Sequence, residues 1–269
     1  MKFSVVLSTH PAQFQAATFK GDLETNLRRI AALGYDGVEL AIRDPRLVQR
    51  NELGRLVQTC GLPVSAIGTG QAWGEEGLSF TDPDPVVRGA AIERIKSHVP
   101  LAAELGAAII IGLIRGVVRP GVEAAQAMDW LVAALQECSA AASLAGIRLA
   151  VEPINRYETT LVNSVDQGLT LIRNVGADNL GLLLDTFHMN IEEADILSSI
   201  QACGERIYHF HVADSNRWYP GAGHLDFRAI LAALQATGYR GWVSGEFLPL
   251  PDAETAARES ITTLRQIRI

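Results

Sequence analysis

The chain has 269 residues, of which 48% are hydrophobic, 20% charged and 6% aromatic, a balance that fits a globular protein with a full core and excludes a disordered or fibrous one. With 23 Lys and Arg against 30 Asp and Glu, the formal net charge of −7 argues against nucleic acid or an anionic membrane as partner. The longest strongly apolar stretch, 107–114, is interrupted by Gly112 and too short to span a bilayer, and Phe3–Leu7 is too short an apolar core for a signal peptide.

Cys60, Cys138 and Cys203 have no CxxC spacing, so we expect buried, reduced thiols and a cytoplasmic setting. Short β-rich runs then alternate with longer helical ones. The expected strands are Phe3–Leu7, Gly37–Leu40, Pro63–Gly68, Ala107–Gly112, Arg148–Glu152, Gly181–Asp185, Ile207–Val212 and Trp242–Glu246. In "DLETNLRRIAALG" the residues Leu27, Ile30 and Ala31 make one helical face closed by Gly34, and "DFRAILAALQATG" repeats the design with Phe227, Ile230, Leu231 and Leu234 before Gly238. Pro100 falls inside a further helical run, where a kink or break near His98 is expected.

Eight strand-then-helix units over this length predict an α/β fold, one (β/α)8 TIM barrel domain spanning 1–269. An open doubly wound sheet would need a phosphate-type glycine loop after an early strand, and "STHPAQF" is not one.

The last four strands finish as "LAVEP", "LLLDTFH", "HFHVAD" and "SGEFLP", which puts Glu152, Asp185, His211 and Glu246 at corresponding ends. In a barrel those ends surround one mouth, where active sites of this fold lie. Alternation turns Ala150 inward with Glu152 and places His209 one layer below His211. Three carboxylates this close would raise one another's pKa unless a cation neutralised them. Three oxygens and one nitrogen suit Mn²⁺, Mg²⁺ or Co²⁺ better than a thiol-seeking metal, and Mn²⁺ is the expected ion.

At these residues the sequence resembles the sugar epimerases typified by D-tagatose 3-epimerase, within the xylose isomerase-like barrels. The matching segments are "VEPINRYET", "LLLDTFHMNIEE", "HFHVADSNRWYPGAGHLDF" and "GEFLP". In the N-terminal half, "AIGTGQAW" and "IIIGLIRG" look most like the 5-keto-L-gluconate epimerase branch, and the departure from the tagatose-epimerase type lies in the loops that follow these strands. The resemblance implies a divalent metal held by Glu152, Asp185, His211 and Glu246, substrate contacts from Glu158, His188 and Arg217, and a homodimer or tetramer.

Epimerisation beside a carbonyl removes a proton from one face and returns one to the other through an enediolate. We expect Glu152 and Glu246 to be the acid/base pair, with Arg217 and His188 at the oxygen that becomes anionic. The expected substrate is a keto-sugar or keto-sugar acid: a hexulosonate such as 5-keto-L-gluconate or D-tagaturonate, or a ketohexose such as D-tagatose or D-psicose. A sugar acid needs a cation for its carboxylate, and Arg115 is the candidate, with Arg43 a second whose neighbour Asp44 suggests a local ion pair. His224 and Asp226 read as local to the loop and the next helix cap. The alternatives are an aldose–ketose or hydroxypyruvate-type isomerase, an abasic-site endonuclease, which the acidic charge disfavours, and a non-catalytic sugar-binding barrel.

Overall fold

The computed structural model describes residues 1–267. Nine strands form one parallel sheet: β1 (Lys2–Ser8), β2 (Phe19–Lys20), β3 (Val38–Ala41), β4 (Val64–Gly68), β5 (Ala108–Ile111), β6 (Leu149–Val151), β7 (Leu180–Asp185), β8 (Ile207–Val212) and β9 (Trp242–Gly245). The sheet closes because β1 pairs with β9, Lys2 opposite Trp242 and Val5 opposite Gly245. Each of the eight expected strands forms, and together they make the barrel. The two-residue β2 was not anticipated; it adds to the end of β1, Leu7 opposite Phe19.

Strand alternation sorts the side chains into two layers. Leu149, Val151, Leu182, Leu184, Phe210 and Val212 face the helices in the large outer core, whereas Ala66, Ile110, Ala150 and Leu183 fill the barrel interior. Small or single side chains inside and branched ones outside are what a helix-covered closed barrel requires. Burying each large outer side chain is worth roughly 1.5–3 kcal/mol, so this layer is the main source of stability.

The helices follow local rules. Leu23–Ala32 buries Leu27 and Ile30, and Gly34 just beyond it takes the left-handed conformation (φ 87°) that stops the helix. Phe227–Ala236 is capped by Asp226, whose side chain accepts from the Ala229 amide, so Asp226 is a cap as expected. Around Pro100 the structure differs from expectation. Helix Pro85–Leu105 continues through it without a break. A proline removes one backbone donor, and here flanking Val99, Leu101 and Ala102 are buried against the core, so packing outweighs that loss.

The three cysteines are free thiols, with Cys138 and Cys203 buried. Among the described residues no helix is long and apolar enough to cross a membrane.

Candidate active site

Glu152 follows β6, Asp185 ends β7, His211 lies in β8 and Glu246 follows β9, so four adjacent strands deliver one polar side chain each to the same end of the barrel. One donor atom from each lies within 4.8 Å of the other three. His211 Nδ1 stands 3.9 Å from Glu152 Oε1, 4.0 Å from Asp185 Oδ2 and 3.8 Å from Glu246 Oε1. These separations are too long for hydrogen bonds. They match atoms that share one cation at about 2.0–2.2 Å each.

Hydrogen bonding makes the same point. Glu152 Oε1, Asp185 Oδ2 and His211 Nδ1 are buried without a partner, an arrangement that costs free energy unless something else binds there. Asp185 divides its two oxygens: Oδ1 caps the Phe187 amide at 2.7 Å, leaving Oδ2 for the cluster. Gly112 makes the room, since a Cβ there would come within 3.1 Å of Glu152 Oε2. Burial and the Glu246 charge push the Glu152 carboxyl well above its usual range, and burial raises Glu246 to about 7. Such pressure toward the neutral form is relieved by a divalent cation, so the residues present fit one.

Glu39, on β3, was not anticipated. It is 2% exposed and sits beneath the cluster, where Oε2 meets His209 Nε2 at 2.7 Å and both oxygens meet His211 Nε2 at 3.0 Å. Although burial alone would raise it, the His211 and His209 imidazoles hold the Glu39 carboxyl below its usual range. His209 therefore lies below His211, as alternation predicted, and turns to Glu39 rather than to the cluster. The strand contained a signal: "GVELA" carries a lone acid at an inward position of an otherwise apolar strand.

Above the cluster lies a cavity of about 230 Å³ lined by Glu152, Glu158, His188, His211, Arg217 and Glu246, with Glu39, Phe14, Trp73, Ile110, Leu113 and Ile154 among the remaining walls. Arg217 reaches Glu158 Oε1 at 2.9 Å and Glu246 Oε2 at 3.4 Å. Its guanidinium also lies between the rings of Phe14 and Phe187, 5.5 and 4.8 Å from their centroids. The backbone there is left-handed (φ 61°), a conformation that costs a non-glycine residue free energy. The surrounding loop holds it: Arg217 N donates to Asp214 O, Leu248 N donates to Arg217 O, and buried Asp214 accepts from the amides of Ser215, Gly221 and Leu225. His224 stays local to this loop, with Nδ1 2.9 Å from Ser215 Oγ.

His188 Nε2 lies 3.7 Å from Glu152 Oε1 and 3.9 Å from Asp185 Oδ2, and burial, followed by the Arg217 charge, drives the ring toward its neutral form. Its Nδ1 meets Asn155, a residue that sequence reasoning missed because loop hydrogen bonds leave no periodic trace.

Arg115 does not join this group. It is fully buried, and its nitrogens hydrogen-bond the carbonyl oxygens of Leu161, Val162, Gly112 and Glu152. A guanidinium engaged with four carbonyls has no fork left for a carboxylate ligand, so its position fits a loop clamp, not the expected carboxylate reader. Val162, one of its acceptors, is a β-branched residue in the left-handed region (φ 55°), and the clamp helps hold it there. Arg43 is paired as well, with Glu75 at 2.5 Å and Glu76 at 3.2 Å rather than with Asp44. Among the described residues lining the cavity, Arg217 is the one basic side chain besides the histidines.

Comparison with known proteins agrees with this geometry. The xylose isomerase-like TIM barrel family matches residues 27–267. An L-ribulose 3-epimerase of Mesorhizobium japonicum is 34% identical over 242 residues, 89% of this chain and 80% of the relative. A 3-dehydro-D-guloside 4-epimerase of Escherichia coli is 28% identical over 93% of this chain and 96% of the relative. The crystal structure of a D-allulose 3-epimerase from Methylomonas sp. in complex with D-allulose superposes with a TM-score of 0.85 at 25% identity, covering 100% of this chain and 97% of that one. The chain therefore belongs to the xylose isomerase-like TIM barrel family and stands among its keto-sugar epimerases, enzymes of the isomerase class.

Proposed function

We propose that the protein is a metal-dependent epimerase that inverts the carbon beside the carbonyl of an uncharged ketose, at C3. The observation that carries this reading is the pairing of two carboxyls, buried Glu152 and nearly buried Glu246, with unpartnered donor atoms from Asp185 and His211 beside a sugar-sized cavity. Glu152, Asp185, His211 and Glu246 would hold the cation, and their oxygen-rich donor set suits Mn²⁺, Mg²⁺ or Co²⁺. Such a cation supplies Lewis-acid polarisation of the carbonyl.

The chain's own residues do the rest. Glu152 and Glu246 come from strands β6 and β9, which are not neighbours, so they approach the cavity from different sides. One takes the proton from the carbon and the other returns a proton to the opposite face. Arg217 and a neutral His188 face the oxygen that becomes anionic, Arg217 as a fixed cation and His188 as an N–H donor. Glu158 anchors Arg217 at 2.9 Å and lies where it can accept from a substrate hydroxyl.

The uncharged substrate is inferred from the cavity walls. Arg115 is engaged with backbone carbonyls, Arg43 with Glu75 and Glu76, and Arg217 with Glu158 and Glu246. A hexulosonate carboxylate would find no unpaired basic side chain among the described residues lining the cavity. One further reading has an observation in its favour: the 4-epimerase relative is matched over nearly its full length, which suggests inversion at C4 of a 3-keto-sugar by the same chemistry. A panel of ketopentoses, ketohexoses, 3-keto-glycosides and hexulosonates, incubated with Mn²⁺ and read for epimeric products, tests the proposal. Turnover of hexulosonates in preference to neutral ketoses would refute the uncharged substrate.

A further inference from the structure

We propose that Asn155 is a positioning residue that fixes His188 as the Nε2-protonated tautomer, turning its one free N–H into the cavity, and that the same amide holds Glu158. Asn155 is 1% exposed, so its polar atoms have no access to solvent. Its Oδ1 accepts from the Tyr157 backbone N–H at 3.0 Å, and that donor leaves no choice about which end of the amide faces it. The Nδ2 end therefore faces the other two partners, Glu158 Oε1 at 3.0 Å and His188 Nδ1 at 2.8 Å. The reverse amide orientation would set an N–H against an N–H at Tyr157 and an oxygen against the Glu158 carboxylate.

With both Nδ2 hydrogens assigned, His188 Nδ1 must be the acceptor. A proton on Nδ1 would oppose the amide N–H, which excludes both the other neutral tautomer and the imidazolium. The ring proton then sits on Nε2, which is beyond hydrogen-bond reach of Glu152 and Asp185 and belongs to a cavity-lining residue.

Asn155 also organises its own turn, since its carbonyl accepts from the amides of Glu158 and Thr159. One uncharged side chain thus sets both the donor at His188 and, through Glu158, the anchor of Arg217. Its catalytic consequence rests on the reading that His188 donates to a substrate oxygen; the tautomer itself does not.

The test is long-range ¹⁵N–¹H correlation spectroscopy of the labelled, Mg²⁺-loaded full chain, with His188 assigned by its loss in His188→Gln. The expected spectrum shows a protonated Nε2 and a bare Nδ1. Asn155→Asp keeps an acceptor for Tyr157 but replaces the donor facing His188 by a second acceptor. It should move the proton to Nδ1 and lower kcat by roughly 10²-fold, the usual loss on removing one such donor. A wild-type His188 protonated at Nδ1 or at both nitrogens would overturn the proposal, as would an Asn155→Asp protein whose His188 still carries the proton on Nε2. If Asn155→Asp does not fold, the wild-type spectrum alone decides. Absence of epimerase activity on every ketose would defeat the proposed function and leave the tautomer result standing.

Discussion

His211 turns its two ring nitrogens in opposite directions: Nε2 lies 3.0 Å from both oxygens of Glu39, while Nδ1 faces three carboxylates with no partner of its own. A carboxylate behind an imidazole fixes the ring's orientation and makes its other nitrogen a better electron-pair donor. Glu39→Gln keeps the volume and weakens that donation. The expected result is a rise of roughly 10- to 100-fold in the Kd for Mn²⁺ with the barrel still folded, measured by calorimetric titration.

Metal loading should depend on pH in a defined direction. Without a cation, His211 is raised to about 10 by the charges of Glu39 and Glu246 despite its burial, and Glu246 to about 7 by burial. A cation needs Nδ1 bare and the carboxylates ionised, so binding expels protons. Affinity should therefore rise with pH between 6 and 8, by roughly tenfold per unit for each proton released. Titration in two buffers of different ionisation enthalpy counts those protons, and a pH-independent Kd would contradict the assignment of His211.

Arg115 should report on stability rather than substrate choice. Arg115→Met leaves the carbonyls of Leu161, Val162 and Glu152 without their donor and releases a strained Val162. Denaturant unfolding should show a loss of about 3 kcal/mol, the scale for leaving buried carbonyls without their donor. The ratio of kcat/KM between a neutral ketose and a hexulosonate should not change; selective loss on the acid would restore Arg115 as a carboxylate reader.

Glu158→Gln separates binding from metal retention. Glu158 anchors Arg217 but contributes no atom to the four-residue cluster. Turnover should fall by about 10-fold or more while the Mn²⁺ content per chain, read by elemental analysis, stays at the wild-type level.

Much of this was legible in the sequence because period-two alternation and strand ends are local signals. "LAVEP" and "LLLDTFH" place Glu152 and Asp185 at strand ends without any tertiary information, and closure of the barrel then brings them together. Glu39 was legible in principle, as a lone acid between Val38 and Leu40, but its partners lie 170 and 172 residues away and only the fold pairs them. Arg115 misled for the opposite reason. A position just after a strand suggests the mouth, yet the short helical turn Leu113–Arg115 carries the side chain inward under the loop that follows β6. Pro100 shows the limit of a local rule, since a backbone donor lost in one turn does not end a helix whose flanks are packed.

In the proposed reaction Glu152 and Glu246 exchange protons with the carbon beside the carbonyl on opposite faces of a bound ketose. Incubating the Mn²⁺-loaded enzyme with its best neutral ketose in D₂O and locating deuterium by NMR tests it directly. One deuterium is expected at the inverted carbon of the product, and the Glu152→Gln and Glu246→Gln proteins should each lose turnover by about 10³-fold, within the range for a lost general acid or base. Epimeric product without deuterium, or near-normal rates from Glu246→Gln, would contradict it.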